Sequence, residues 1–309
     1  MSRPQNWSMI AETGTTLGIR ILIAVFRIGG RMLFKFFLFP VICFYFILRS
    51  DSRAASANYL RRVGTRVEHF PSVTTALKFR HFWNFGIILI DKFAVWMGKL
   101  TREDIVVKNG EIIEQCLNSG RGGVFAISHL GNFEVLSALS STHRGVKLTV
   151  IHHTRHAEKF NQILHKYYST SQVEFIQVTE LDAGVAMKLS ERVERGEFIA
   201  IAADRVPVSN DNATISCQFL GSEARFPRGP YILSQILRAP LILCVAIREQ
   251  GRYNIYFESL PDGRNVSRAR REKFILIAAQ AYVERLERYV IKAPLQWFNF
   301  YHFWQHDVS

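Results

Sequence analysis

The sequence predicts an α/β domain of layered sheet and helices, preceded by N-terminal membrane-associated helices. Three observations lead there. From Val124 onward, apolar runs of four to seven residues alternate with helical stretches, the rhythm of strand-helix-strand units. Residues 18–48 are strongly apolar but punctuated by Arg20, Arg27, Arg31 and Lys35. Finally, 24 phenylalanines and 13% aromatic residues are an unusual load for a wholly soluble chain, and fit a body that lies partly in lipid or around an acyl chain.

The chain opens on a polar dozen residues, and no small-residue cleavage site follows the apolar run, so a cleavable signal peptide is not expected. The cations at 20, 27, 31 and 35 are spaced by seven, four and four. They fall on one helical face, the pattern of an interfacial helix with a polar stripe toward phosphates. Phe36 to Leu48 is thirteen apolar residues with Pro40 inside, short of the ~20 that span a bilayer. Counted from Met32, with Lys35 snorkelling, a tilted span is expected, with a monotopic hairpin as the alternative. The expected division is an anchor over 1–48 and a domain carrying the chemistry over 49–309.

Residues 49–110 are mixed. Arg49, Arg53, Arg61 and Arg62 come first, then a stretch rich in Phe, Trp and Ile with a helix over 81–92; Asp91, Lys92 and Lys99 are expected to be solvated. A short helix over 111–117 stops at Asn118-Ser119-Gly120. Strands follow at 124–127, 146–152, 173–177 and 198–203, with helices at 158–168 and 183–194, the latter ending at Gly196. A helix over 231–237, strands at 242–248 and 253–257, and a long helix over 269–290 complete the pattern.

Chemistry concentrates where strands end, as open α/β sheets require. The strand 124–127 runs into the turn Ser128-His129-Leu130-Gly131-Asn132, and Phe133 begins a helix. On one helix His129 and Glu134 would diverge by about 140°. With His129 on the turn and Glu134 in the first helical turn, the loop folds them together, and the carboxylate fixes the imidazole tautomer of a general base. Arg155 and the pair Asp204/Arg205 also follow strands. A Pro-Gly turn at 227–229 leads into a helix whose N-terminus, with Arg225, Arg228 and Gly229, suits an anion.

Several classes drop out. The imidazoles of His152, His153 and His156 diverge on a strand end without Cys or Asp companions, so no metal is expected. Gly120 to Gly123 lacks the Lys-Ser/Thr of a phosphate loop, and no Gly-x-Ser-x-Gly elbow offers an acyl-enzyme nucleophile. Cys43, Cys116, Cys217 and Cys244 are scattered among apolar residues and read as free thiols of a reducing compartment. A net charge of +13 admits nucleic acid, anionic membrane lipid or an acidic carrier protein. No nucleic-acid partner is expected, since neither zinc spacing nor an aromatic-basic motif is present.

The run His129-Leu130-Gly131-Asn132-Phe133-Glu134 resembles the His-x4-Asp/Glu motif of the glycerolipid and lysophospholipid acyltransferases. Its Gly131, Asn132, Phe133 and Glu134 are most similar to the bacterial lipid A late-acyltransferase (lauroyl/myristoyl) branch, a resemblance that covers residues 15–305. It implies that His129 and Glu134 are catalytic and that Arg155 binds an anionic part of a substrate. Asp204 matches an acidic position, where Arg205 replaces the usual Gln or His. Pro227 and Gly229 match the substrate-phosphate motif Pro-Glu-Gly-Thr, from which Arg228 and Pro230 depart. Pro294, Gln296 and Trp297 fit the family's C-terminal run, here six aromatics in eleven residues, expected at the headgroup belt or capping an acyl channel.

The implied activity is transfer of a fatty or polyene-like acyl group from an acyl carrier protein or coenzyme A thioester to a lipid hydroxyl or amine. No bound cofactor is implied, and the place is the cytoplasmic face of the bacterial inner membrane. Arg268, Arg270, Arg271 and Lys273 could meet the acidic surface of a carrier protein or anionic lipid. The chain also resembles predicted acyltransferases of aryl polyene or xanthomonadin-like pigments. The alternatives are a thioester hydrolase, with water replacing the acceptor, and a non-catalytic membrane-bound binding protein on the same scaffold.

Overall fold

The computed structural model describes residues 16–136, 146–152, 173–177, 182–206 and 213–304. Its helices are α1 (Thr16–Leu48), α2 (Ser50–Gly64), α3 (Thr75–Trp96), α4 (Glu111–Asn118), α5 (Ala183–Glu194), α6 (Gly229–Ile236) and α7 (Arg271–Lys292). One sheet holds β1 (Ile105–Lys108), β2 (Val124–Ile127), β3 (Leu148–His152), β4 (Val173–Gln177), β5 (Phe198–Ala202), β8 (Leu241–Glu249) and β9 (Arg252–Ser259). Its order is β1-β9-β8-β2-β5-β3-β4, and β6 (Thr214–Phe219) and β7 (Ser222–Pro227) form a separate antiparallel pair. From β8 through β4 neighbouring strands are parallel; β9 returns antiparallel to β8, with β1 parallel to it.

The period-2 pattern of β2 sorts its side chains between two cores. Val124 and Ala126 join the core formed with α5, α6, α7 and the C-terminal run. Phe125 and Ile127 enter the opposite core with Ile113 of α4, where the Phe125 and Phe198 rings stack with centroids 4.7 Å apart. The result is the layered α/β domain the sequence predicts.

Helices α4 and α5 fall where the sequence places them. The helix expected over 81–92 is longer because Thr74 caps it, its hydroxyl accepting the Leu77 N–H at 3.2 Å. The helix expected over 158–168 lies outside the described residues. Helix α2 and strands β1, β6 and β7 are additions. β6 and β7 alternate, with Cys217, Phe219, Ala224 and Phe226 buried, a strand pattern obscured by the reading of their end as an anion motif.

Two expectations are corrected here. Asp91 is not solvated: it is fully buried, bonded to Arg31 of α1 and to the Tyr253 hydroxyl at 2.6 Å, with Arg248 at 3.6 Å. Arg31 is therefore drawn toward the domain instead of joining a lipid-facing cationic stripe. The aromatic C-terminal run is likewise no headgroup belt. Trp297, Phe298, Phe303 and Trp304 are at most 7% exposed, and α2 and α3 hold their backbone: the Tyr59 hydroxyl donates to Pro294 O at 2.7 Å, Asn84 to Leu295 O at 3.2 Å, and His81 Nε2 lies 3.0 Å from Trp297 O.

Candidate active site

Strands β2 and β5 are neighbours, with Ile127 opposite Ala202, so the residues that follow them emerge side by side. That adjacency brings His129 and Asp204 together. Asp204 Oδ1 lies 2.7 Å from His129 Nδ1, and Oδ2 accepts the His129 backbone N–H at 2.8 Å. The same Oδ2 accepts the Trp297 indole N–H at 2.9 Å and the Asn299 amide at 3.3 Å. Burial alone would raise this carboxyl, but His129, through its charge and its hydrogen bonds, together with Arg205, holds it below the usual carboxylate range. An ionised Asp204 takes the Nδ1 proton as its partner, which leaves Nε2 with a free lone pair.

His129 itself keeps 31% of its side chain exposed. Its pKa is lowered, by burial first and then by the Arg205 guanidinium, while Asp204 pulls the other way and Lys92 adds to the lowering. The lowering favours the neutral imidazole, the form able to accept a proton.

The turn that presents His129 is wedged between β8 and the C-terminal run. Gly131 adopts φ +73°, and a Cβ there would stand 1.9 Å from Ala246 O, so only glycine fits. Its N–H donates to Gln296 O at 2.8 Å, Asn132 N–H to Ala246 O at 2.8 Å, and Phe298 N–H to His129 O at 3.0 Å. Gln296 in turn bonds both backbone groups of Arg248 at 2.8 Å. The Pro-x-Gln-Trp run thereby fixes both the histidine loop and the carboxylate behind it.

The chain matches the bacterial lipid A biosynthesis acyltransferases over residues 4–306. It belongs to that family. No curated protein matches it.

In this lipid A biosynthesis acyltransferase family member the expected site residues are placed as follows. The expectation pairs Glu134 with His129; the acceptor opposite Nδ1 is Asp204, and Glu134 Oε1 instead sits 2.9 Å from Lys92 Nζ. The Lys92 ammonium also lies 5.4 Å from the Phe133 ring centroid, so Lys92 packs against the His129–Glu134 segment and is not a solvated surface charge. Arg205 bonds Asn299 Oδ1 at 2.9 Å and Phe298 O at 3.1 Å. Arg228, at the N-cap of α6, pairs with Glu272 of α7 at 2.6 Å. Gly229 opens α6 beside Ile201 of β5, whose Cδ1 would lie 3.8 Å from an added Cβ. Arg155 lies outside the described residues.

Trp297 and Asn299, which bond Asp204, and Lys92, which pairs with Glu134, are the neighbours of the candidate site that the sequence reading missed. Only Trp297 carried a signal, its place in a matched run. Between α4 and the sheet lies a cavity of about 350 Å³ lined by Ile113, Leu117, Phe125, Leu136, Leu148 and Phe257, among others. Among the described residues, no three His, Cys, Asp or Glu side chains gather as a metal site.

Proposed function

We propose that the chain transfers an acyl group from an acyl carrier protein or coenzyme A thioester to a lipid hydroxyl or amine at the cytoplasmic face of the bacterial inner membrane. The observation that carries this reading is the buried Asp204 carboxylate on His129 Nδ1, which leaves Nε2 as the base. Nε2 takes the proton of the acceptor hydroxyl or amine as its oxygen or nitrogen bonds the thioester carbonyl carbon. The carbonyl electrons move onto oxygen, and as they return the C–S bond breaks. The proton held on Nε2 passes to the departing thiolate, so the enzyme is regenerated. Lys92 and Arg205, both close enough to bias His129 electrostatically, supply positive field for the transient oxyanion.

Phe125 lies four residues before His129 on β2, about 13 Å along the strand. The cavity beside it therefore suits the distal part of a chain whose carbonyl sits at Nε2. Residues 1–48 anchor this activity and 49–309 carry it. Lauroyl or myristoyl groups on a lipid A-type acceptor, or polyene-like groups on pigment lipids, are the finer readings. Arg155 and Arg228 are candidates to hold an anionic part of acceptor or donor.

The test is product mass spectrometry after incubating the purified protein with acyl-carrier protein, or acyl-coenzyme A, and bacterial lipid extract. One acyl increment on a lipid, abolished in His129→Ala, is expected. Free fatty acid without acylated lipid would make it a hydrolase, and thioester left intact would make it a binding protein.

A further inference from the structure

Helix α1 carries the broadest exposed apolar surface among the described residues. Met32, Phe36, Phe44 and Ile47 are 59–77% exposed, while only the stripe Phe34, Leu38 and Ile42 is buried. We infer that α1 lies in the plane of one membrane leaflet, immersed along its length, rather than crossing the bilayer. This rests on the membrane association proposed above and concerns how it is achieved.

The geometry of α1 against α3 decides the orientation. The two helices run antiparallel in continuous contact: Arg31 bonds Asp91, Phe34 meets Phe93, Phe39 meets Trp83, and Phe46 meets Phe79. Gly86 permits the closest approach, since a Cβ there would come within 2.9 Å of Leu38. From Arg31 to Phe46 the helix rises about 22 Å, and α3 accompanies all of it.

Helix α3 is in turn bonded to the catalytic body at both ends. His81 and Asn84 hold the C-terminal run, Asp91 holds Tyr253, and Lys92 holds Glu134 in the active site. The body therefore stands beside α1 over this whole rise. An upright α1 would carry the partly exposed Lys92 and Arg248 to hydrocarbon depth, where even paired charges facing lipid are costly. A flat α1 keeps them at the aqueous boundary.

Length is compatible with this. Gly30, at φ +60° and ψ −153°, breaks the helix. Ile28–Leu48 is by length and composition long and apolar enough to cross a membrane, but the Gly30 break leaves residues 31–48 with a straight rise of only about 27 Å against a ~30 Å hydrocarbon core, so length alone does not require a span. A helix about 10–12 Å thick does fit one leaflet of that core, with the exposed Arg49 and the half-buried Lys35 available to anionic phosphates. The acceptor lipid would then be drawn from the leaflet in which α1 lies.

The test uses the full chain with one protease site ahead of Met1 and a second after Ser309. It is reconstituted in sealed vesicles of phosphatidylethanolamine and phosphatidylglycerol and treated with protease from outside. In-plane binding predicts that each molecule loses both ends or neither, the protected ones losing both once detergent opens the vesicles. Molecules cut at one end only would overturn the inference while leaving membrane association intact. Protein that fails to float with the vesicles would overturn both. As a second measurement, Phe36→Glu with Phe44→Glu should lower the floated fraction at least tenfold without moving Tm, because both side chains point away from α3. Undiminished flotation would also overturn it.

Discussion

His129 sits under opposing charges, with Asp204 raising its pKa and burial, Arg205 and Lys92 lowering it. Asp204→Asn should cut kcat/KM by roughly 10²- to 10⁴-fold, since an amide no longer selects the Nδ1–H tautomer. His129→Ala should lose as much. Steady-state kinetics on folded variants check both, and wild-type turnover in either would remove the histidine from the mechanism. Lys92→Met deletes a contribution that lowers the His129 pKa. The acidic limb of the kcat/KM profile, where the base becomes protonated, should therefore move to higher pH. Glu134→Gln leaves the ammonium without its carboxylate and should lower turnover less than His129→Ala, through Lys92. A limb that stays put in Lys92→Met would show that the ammonium does not act on His129. The histidine was legible from the sequence because it follows a buried strand. Its partner was not: Glu134 is near in sequence, but Asp204 is near in space only because β5 lies beside β2, and strand order is not written in the spacing of one motif.

At the scale of elements, α3 joins α1, the sheet and the C-terminal run. His81, fully buried between Ser56 Oγ at 2.9 Å and Trp297 O at 3.0 Å, is pushed down from 6.5 to about 4, chiefly by burial. Between those values the unfolded chain binds a proton that the folded chain refuses, so stability falls as pH drops through this window. At ~1.4 kcal/mol per pKa unit, the loss approaches roughly 3 kcal/mol at pH 4. Denaturant melts of the wild type at pH 7 and pH 4.5, compared with His81→Phe, would check this. The variant should lose less stability on acidification, though it starts lower for want of two hydrogen bonds, and an identical pH slope would refute the assignment. Elements with clean period, such as α4, α5 and β2, were readable from the sequence. β1 is only four residues long, and the polar members of β6 and β7 disguise their alternation. Asp91 and Lys92 looked solvated because charges usually are; their partners arrive from α1 and from the turn after β2, tertiary facts that no local pattern records.

For the whole molecule, the layered fold and the site's location at the strand ends were legible, while the role of the aromatic run was not, since six aromatics read equally well as a lipid belt or as core. With four of the six buried and Phe300 and Tyr301 half-buried, α1 and the net charge of +13 remain as the features through which the proposed membrane attachment would act. These two differ in their response to salt. Burial of Met32, Phe36, Phe44 and Ile47 in acyl chains stabilises binding without ionic screening, whereas attraction of a cationic surface to anionic headgroups decays over about 10 Å at 0.1 M ionic strength. Flotation with phosphatidylglycerol-containing vesicles should therefore fall as salt rises and then level off at a residual fraction. On purely zwitterionic vesicles that fraction should be nearly salt-independent, and Phe36→Glu with Phe44→Glu should abolish it. Deleting residues 1–48 is a poorer probe, because it uncovers Phe82, Ile90 and Phe93 and strips Asp91 of Arg31, so aggregation rather than clean release is expected. Complete release of the full chain by salt would assign the attachment to charge alone, and α1 would then need another cover for its exposed phenylalanines.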